Sequence, residues 1–193
     1  IPGKFWYHHY AMYLARNDSR EALGSLWYHD HMIDFTATNV YAGLSGMSIF
    51  YDDIDTGNEN DSSPKALRLP GNFQFGGDNQ GNPYGYDIPL ILHDVRFDQT
   101  GNPTYNVFDT KGHLGDHITV NRKVKPFMNV EPRKYRFRIY DGGPSRLYEL
   151  ELSDGSAMTV ISNDGNLLEH PVEVTSVVLG PANRYDVIID FSR

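Results

Sequence analysis

The residue types and spacing best suited to chemistry are those of His29 and His31, in the run Trp27-Tyr28-His29-Asp30-His31. In a β-strand, residues i and i+2 point to the same face, with Cα atoms about 7 Å apart. Two imidazoles in that arrangement can bind one metal ion loosely, or give one nitrogen to each of two neighbouring ions. Imidazole binds copper, zinc, iron and nickel, so the residue type alone does not choose the metal. A metal-free pair, exposed or hydrogen-bonded, is the alternative.

The residues around the two histidines have less direct roles. Asp30 would point to the opposite face of such a strand, where its carboxylate could support the ligands without binding the metal. We expect Trp27 and Tyr28 to pack against the fold and not to carry electrons. These three side chains are therefore secondary to His29 and His31.

The other six histidines lack the spacing of a strand metal site, and we expect structural or exposed roles for His8, His9, His93, His113, His117 and His170. His8 and His9 are adjacent, and neighbours in a strand point to opposite faces. His113 and His117 have a helical spacing, but two nearby glycines argue against a helix there. His93 and His170 have no partner close in sequence.

Composition excludes several classes of function. The chain has 17 basic and 25 acidic residues, a net charge of −8, and no long basic cluster, which argues against nucleic acid and anionic membranes as partners. Its apolar runs are too short to span a membrane, and no signal peptide is visible. The absence of cysteine excludes disulfides, thiolate zinc sites, iron–sulfur clusters and a catalytic thiol.

Alternating apolar and charged residues predict β-strands, most clearly over 134–140, where one face should be dry and one exposed to solvent. The residues expected on that exposed face are Lys134, Arg136 and Arg138. A similar alternation over 184–191 places Asp186 on the exposed side. Further strands are expected over residues 26–31, 43–51, 87–95, 117–121, 148–152, 157–162 and 172–179. Turn-forming clusters separate these runs at the spacing of an all-β sandwich or barrel.

Three stretches do not follow this strand pattern. Residues 53–83 are crowded with Asp, Asn, Gly, Ser and Pro, so we expect an inter-domain linker that forms no core element. Residues 32–41 could form a short helix or a loop. Residues 5–16 are ambiguous between helix and strand.

The run Leu26-Trp27-Tyr28-His29-Asp30-His31, followed by Asn39 to Gly46, resembles the second histidine motif of multicopper oxidases, especially spore-coat laccases and bilirubin oxidases. Downstream segments resemble the same family in the same order, at residues 86–92, 115–121, 129–138, 162–170 and 182–186. The resemblance runs from about Leu26 to the end of the sequence, and residues 1–25 match poorly.

The resemblance implies an all-β fold of Greek-key cupredoxin-like sandwiches and copper as the metal. His29 and His31 would correspond to ligands of a binuclear type 3 copper pair, one for each copper, within a trinuclear cluster that reduces dioxygen. Residues 1–52 would end a first cupredoxin-like domain. Residues 53–83 would be the linker, and residues 84–193 a copper-free second domain, incomplete at its C-terminus, that acts as a spacer.

Other parts of the family's pattern are missing from this sequence. It contains no HxHG, HxxHxH or HCH motif, and without cysteine it cannot form a type 1 copper centre. We therefore expect an internal portion of an oxidase that is catalytically incomplete by itself. Its partners would be the remaining segments of the same oxidase, dioxygen and a phenolic or similar reductant oxidised by single electrons. The family implies an extracellular, periplasmic or spore-coat setting.

The alternative is a non-catalytic β-sandwich that serves as a structural or copper-binding module. In that case His29 and His31 need not belong to an oxidase centre. Further histidine motifs in the rest of the gene would distinguish the two hypotheses.

Overall fold

The structure is a computed structural model that describes residues 3–18, 22–72 and 85–192 of the 193-residue chain. Strands dominate it, and in chain order they are β1 (Ser25–His29), β2 (Ser45–Ile49), β3 (Asp87–Val95), β4 (His117–Val120), β5 (Lys123–Val124), β6 (Lys134–Asp141), β7 (Tyr148–Glu151), β8 (Met158–Asn163), β9 (Asn166–Val174), β10 (Ser176–Leu179) and β11 (Arg184–Asp190). One α-helix, α1 (Thr36–Ala42), and a short 3-10 helix at Ala15–Asn17 complete the regular structure of these residues. Within the same ranges, no helix is long and apolar enough to cross a membrane.

Seven strands form the main sheet, in the order β5-β4-β3-β6-β11-β8-β9. Strands β3 and β6 are parallel, and the other neighbours in this sheet are antiparallel. A two-stranded sheet of β7 and β10 packs on it, since Phe137, Val160 and Val187 of the main sheet share one hydrophobic cluster with Tyr148 and Leu179. The core therefore lies between two β layers, as the alternating apolar residues predict.

The predicted strands are present in the structure, with end shifts of a few residues, and β3 has the predicted bounds. Residues 172–179, expected as one strand, belong to two. The chain pairs with β8 as far as Val174 and with β7 from Ser176 onward. The chain thus passes from the main sheet to the second layer. No local sequence pattern indicates this change of pairing partner.

The prediction of a solvent-exposed face on β6 is wrong for Arg136 and Arg138, which are 1% and 0% exposed. Asp186 on β11 was also expected to be exposed and is buried. Carboxylates from distant segments cover these charges, because Arg136 binds Asp186 at 2.6 Å and Arg138 binds Asp87 at 2.7 Å. Alternation identified the faces of the strand correctly, but it could not identify what covers them.

The polar stretch expected to be a linker supplies one of those carboxylates. Asp55 is 6% exposed and lies 2.7 Å from the guanidinium of Arg136. We call Asp55, Asp87, Arg136, Arg138 and Asp186 the buried ion cluster. No strand lies within the described part of the stretch, residues 53–72, although Ala66 is also buried.

Residues 73–84, the rest of the predicted linker, lie outside the described residues. The division into 1–52, 53–83 and 84–193 stays a prediction. The buried position of Asp55 nevertheless ties residues 53–72 closely to the main sheet.

Strands β1 and β2 form a separate antiparallel hairpin in which Ser25 pairs with Ile49 and His29 with Ser45. Helix α1 lies in the connection between them, where a helix or loop was expected. Ser25 joins the hairpin to the buried ion cluster by donating a hydrogen bond to Asp186 at 2.7 Å and accepting one from Arg138 at 3.0 Å. Of the ambiguous residues 5–16, residues 5–14 have no regular structure and are exposed, and the last two belong to the short 3-10 helix.

Candidate metal-binding site

The structure places His29 and His31 side by side at the end of β1, with ring centroids 5.5 Å apart and ring planes inclined by 36°. The strand was expected to run through both residues, but it ends at His29, and His31 belongs to the following turn. The i, i+2 spacing still brings the rings together, although His31 lies beyond the end of the strand. His29 is half-buried and His31 is exposed.

One hydrogen bond fixes the tautomer of His29. Its Nδ1 lies 2.5 Å from the backbone carbonyl oxygen of Asp30. A carbonyl can only accept, so Nδ1 carries the proton and the neutral ring keeps its lone pair on Nε2. That is the form in which a histidine binds a metal through Nε2.

Trp27 supports the His29 ring from the side. The two rings stack with centroids 4.6 Å apart and an angle of 18° between their planes. Trp27 also contacts Tyr140 of the main sheet at 5.1 Å. The indole therefore packs between the histidine and the sheet, in line with the packing role expected for it.

Asp30 organises the turn between the histidines. One carboxylate oxygen, Oδ2, accepts hydrogen bonds from the backbone N–H of Met32 at 3.0 Å and from the side-chain amide of Asn39 at 2.9 Å. The bond from Asn39, followed by that from Met32, lowers the pKa of Asp30 below its ordinary value. The backbone N–H of Asp30 donates to the carbonyl of Leu44 at 2.9 Å.

In the segment after the histidines, the local backbone geometry requires glycine at two positions. Gly43 ends α1 with a φ of 120°, which favours glycine, while its N–H donates to Val40. Gly46 faces Tyr28 across the β1–β2 pair, and a Cβ there would lie 2.6 Å from the Tyr28 hydroxyl. A turn and a close approach thus account for both glycines.

His93 and His113 are buried, at 3% and 8% exposure, and neither Nε2 has a hydrogen-bond partner. Both rings contact Tyr41 of α1, with centroid distances of 5.2 and 4.7 Å. Burial, with a smaller contribution from Arg122, lowers the pKa of His93 to about 4, so it is neutral at pH 7. No feature of the sequence signals the burial of His93.

The remaining histidines are exposed and form no site with one another. His117 bonds to Asp116 at 2.7 Å, while His8, His9 and His170 lie at the surface. Over residues 3–18, 22–72 and 85–192, no group of three or more His, Cys, Asp or Glu side chains is placed to hold a metal ion. Two imidazoles, one with a fixed tautomer, suit copper by donor type, and they make up only part of a coordination shell.

Comparisons with a family model, with curated proteins and with solved structures point to the same family. The multicopper oxidase family model matches residues 72–193. A laccase of Bacillus subtilis is 36% identical over 193 residues, covering 94% of this chain and 33% of that protein. The cell division protein FtsP of Sodalis glossinidius is 35% identical over 175 residues, covering 90% of this chain and 33% of that protein. The crystal structure of the McoA multicopper oxidase from Aquifex aeolicus superposes with a TM-score of 0.68 at 36% identity, over 88% of this chain and 34% of that one.

The layered strands and these structural neighbours define an all-β, cupredoxin-like fold, which confirms the predicted fold class. The chain belongs to the multicopper oxidase family, as the histidine motif indicated. Copper-dependent oxidation is the general chemistry of that family. The chain spans about a third of the length of the curated relatives that it matches.

Proposed function

We propose that this chain is a portion of a laccase-like copper oxidase in which His29 and His31 each bind one copper of a type 3 pair. The whole protein would oxidise phenolic or similar reductants by single electrons and reduce dioxygen to water. One observation carries the proposal: the two rings lie 5.5 Å apart, and the His29 tautomer leaves Nε2 free. Two adjacent metal ions need such neighbouring donors.

The chain's own residues would hold and orient the donors. Copper, when bound, supplies the capacity to pass electrons to dioxygen. Trp27 stacks on one face of the His29 ring and supports its orientation. The Asp30 carbonyl keeps the proton on Nδ1, and the Asp30 carboxylate holds the turn that leads to His31.

The rest of the chain would act as a spacer. Residues 84–193 would form a second, copper-free domain, joined through the linker 53–83 to the end of the first domain, residues 1–52. The other copper ligands and the type 1 centre would come from segments of the full-length oxidase that this chain does not include. Laccases and related oxidases suggest an extracellular, periplasmic or spore-coat setting.

The test compares copper content and dioxygen uptake of the full-length protein with those of a His29→Ala/His31→Ala double variant. We expect the variant to lose the type 3 copper and dioxygen uptake with a phenolic reductant. The matched control is His117→Ala/His170→Ala, which also removes two imidazoles, both exposed. Equal copper content and uptake in all three proteins would refute the proposal.

A second candidate is a non-catalytic β-sandwich with a structural or copper-binding role. The similarity to a protein named for cell division, over 90% of this chain, favours it. This candidate predicts a full-length protein that consumes no dioxygen with phenolic reductants, whether or not it binds copper. The same measurement therefore distinguishes the two candidates.

A further inference from the structure

We infer that helix α1 positions the histidine pair relative to the main sheet, with Asn39 and Tyr41 as its two positioning residues. The inference deepens the proposed function and rests on it for the role of the histidines. Asn39 holds the turn between His29 and His31. Tyr41 anchors the same helix in a buried pocket formed by residues 93–113.

The Asn39 contact is a set of hydrogen bonds to both sides of the hairpin. Its side-chain amide donates to the Asp30 carboxylate at 2.9 Å. Its backbone carbonyl accepts from Leu44 at 2.9 Å, and the carbonyl of Leu44 accepts from the N–H of Asp30 at 2.9 Å. Asn39, Leu44 and Asp30 thus close a ring of hydrogen bonds around the residue whose carbonyl fixes the His29 tautomer.

The Tyr41 contact combines packing of the aromatic ring with hydrogen bonds of the hydroxyl. Tyr41 is 4% exposed, and its ring contacts His93, Tyr105 and His113 with centroids 4.7 to 5.2 Å away. Its hydroxyl accepts from the backbone N–H of Arg96 at 2.9 Å and donates to the carbonyl of the same residue at 3.4 Å. Arg96 directly follows β3, so Tyr41 binds the helix to the main sheet.

Helical geometry makes these two contacts one connection. Successive residues of an α-helix are rotated by about 100°, so residues two apart, such as Asn39 and Tyr41, project in nearly opposite directions. One faces the histidine turn and the other faces the sheet. A helix of only two turns is stiff over that distance, so a shift at Tyr41 is transmitted to Asp30 and the histidines.

The buried histidines around Tyr41 fit this role. His93 and His113 have no hydrogen-bond partner at Nε2, so they contribute shape and apolar contact to the pocket. Arg122, Asp94 and His113 are the charged and titratable groups that act on His93. The pocket thus holds the tyrosine through packing and through the two backbone hydrogen bonds at Arg96.

The test reads the His29 and His31 rings in the metal-free chain by nuclear magnetic resonance of isotope-labelled histidine nitrogens. Wild type should show His29 as a single Nδ1–H tautomer. Asn39→Ala should give a mixture of tautomers, and Tyr41→Ala should give a similar mixture through the displaced helix. Tyr41→Phe, which keeps the ring and is the variant safer for folding, should shift the His31 and His29 signals less.

Two controls separate positioning from general destabilisation. Thr38→Ala changes the same helix between its two contacts, and Tyr148→Phe removes another buried tyrosine hydroxyl, which lies 3.5 Å from Asp94. Both should leave the His29 tautomer unchanged. Copper(II) titration of the same proteins should show binding weakened about 10-fold or more in Asn39→Ala, and little change in the controls.

The outcomes are distinct. An unchanged single tautomer in folded Asn39→Ala, Tyr41→Ala and Tyr41→Phe would overturn the inference. Altered tautomers in those variants, together with copper binding that does not depend on His29 and His31, would support the positioning role and refute the proposed function. Altered tautomers with weakened copper binding would support both.

Discussion

The histidine pair and the arginine pair of this molecule have the same i, i+2 spacing and opposite fates. His29 and His31 lie at the open end of β1, where one ring is half-buried and the other exposed. Arg136 and Arg138 lie in the middle of β6 and are fully buried among three carboxylates. The i, i+2 spacing places two side chains on the same face of a strand. The segments that pack on that face decide whether the side chains are buried or free to bind a ligand.

The hydrogen bonds of the two pairs show the same difference. Each arginine lies within 3.0 Å of at least one carboxylate, so its charge is largely neutralised inside the protein. His29 uses one ring nitrogen to orient itself and keeps the other free. The arginine pair therefore contributes to a unique packing, whereas the histidine pair keeps a donor available. Perturbing each region should affect different properties.

The largest expected effect is that of Arg138→Met in the buried ion cluster. It leaves Asp87 without its main partner, and breaking a buried ion pair in this way costs about 3–5 kcal/mol of unfolding free energy. Urea denaturation followed by tryptophan fluorescence would measure the loss. The control is Lys134→Met on the exposed start of the same strand, which should change stability by about 0.5 kcal/mol or less. A loss under about 1 kcal/mol for Arg138→Met would contradict the comparison.

A smaller effect per pH unit is expected from a buried carboxylate without a cation. Burial, and secondarily Asp94, raise the pKa of Asp141 from 3.8 to about 7, against an opposing hydrogen bond from Gly143. Between about pH 4 and pH 7 the folded chain therefore holds a proton that the unfolded chain has lost. Stability should fall as pH rises through that window, by up to about 1.4 kcal/mol per pH unit.

Asp141→Asn should remove this part of the pH dependence, and urea denaturation across the window would measure the difference in slope. Asp154→Asn is the matched control, because Asp154 also accepts a backbone N–H two residues ahead but is exposed. Its slope should equal that of wild type. Equal slopes for wild type and Asp141→Asn would mean that Asp141 is ionised throughout the window.

The smallest effect on stability is expected at the candidate site itself. His31→Ala should change the unfolding free energy by about 0.5 kcal/mol or less, because His31 is exposed. His93→Ala, which empties a buried position, should cost about 2–3 kcal/mol. Thermal or urea denaturation would measure both. A loss at His31 as large as that at His93 would show that His31 has a structural role and would weaken the contrast between the two regions.

The sequence was informative wherever the relevant pattern is local. Period-two alternation predicted the strands, including β3 at its observed bounds, and the spacing of His29 and His31 predicted their proximity. The family resemblance, carried by motifs from about Leu26 onward, is confirmed by the family model over residues 72–193 and by the laccase similarity over 94% of the chain. Local patterns suffice here because a strand fixes side-chain direction by itself.

Features that depend on distant segments were not predictable. Asp55 reaches Arg136 across 81 positions of sequence, so the alternation on β6 could not distinguish a solvated arginine from a buried one. Asn39 and Tyr41 entered only as letters of a family motif, since their contacts depend on where α1 packs. The burial of His93 has the same origin, because Tyr41 of another segment covers it.

The contacts of Ser25 have a consequence for the order of events during synthesis. Ser25 donates to Asp186, 161 positions later, and Asp186 lies on β11, the last strand of the described chain. A ribosome releases the hairpin that carries the histidines long before it releases β11. Until that strand arrives, Arg136 and Arg138 have Asp55 and Asp87 but lack the third carboxylate, Asp186, and the hairpin lacks one of its attachments. The hairpin that carries the histidine pair is therefore made early in synthesis and gains its bond to Asp186 only when β11 has been made.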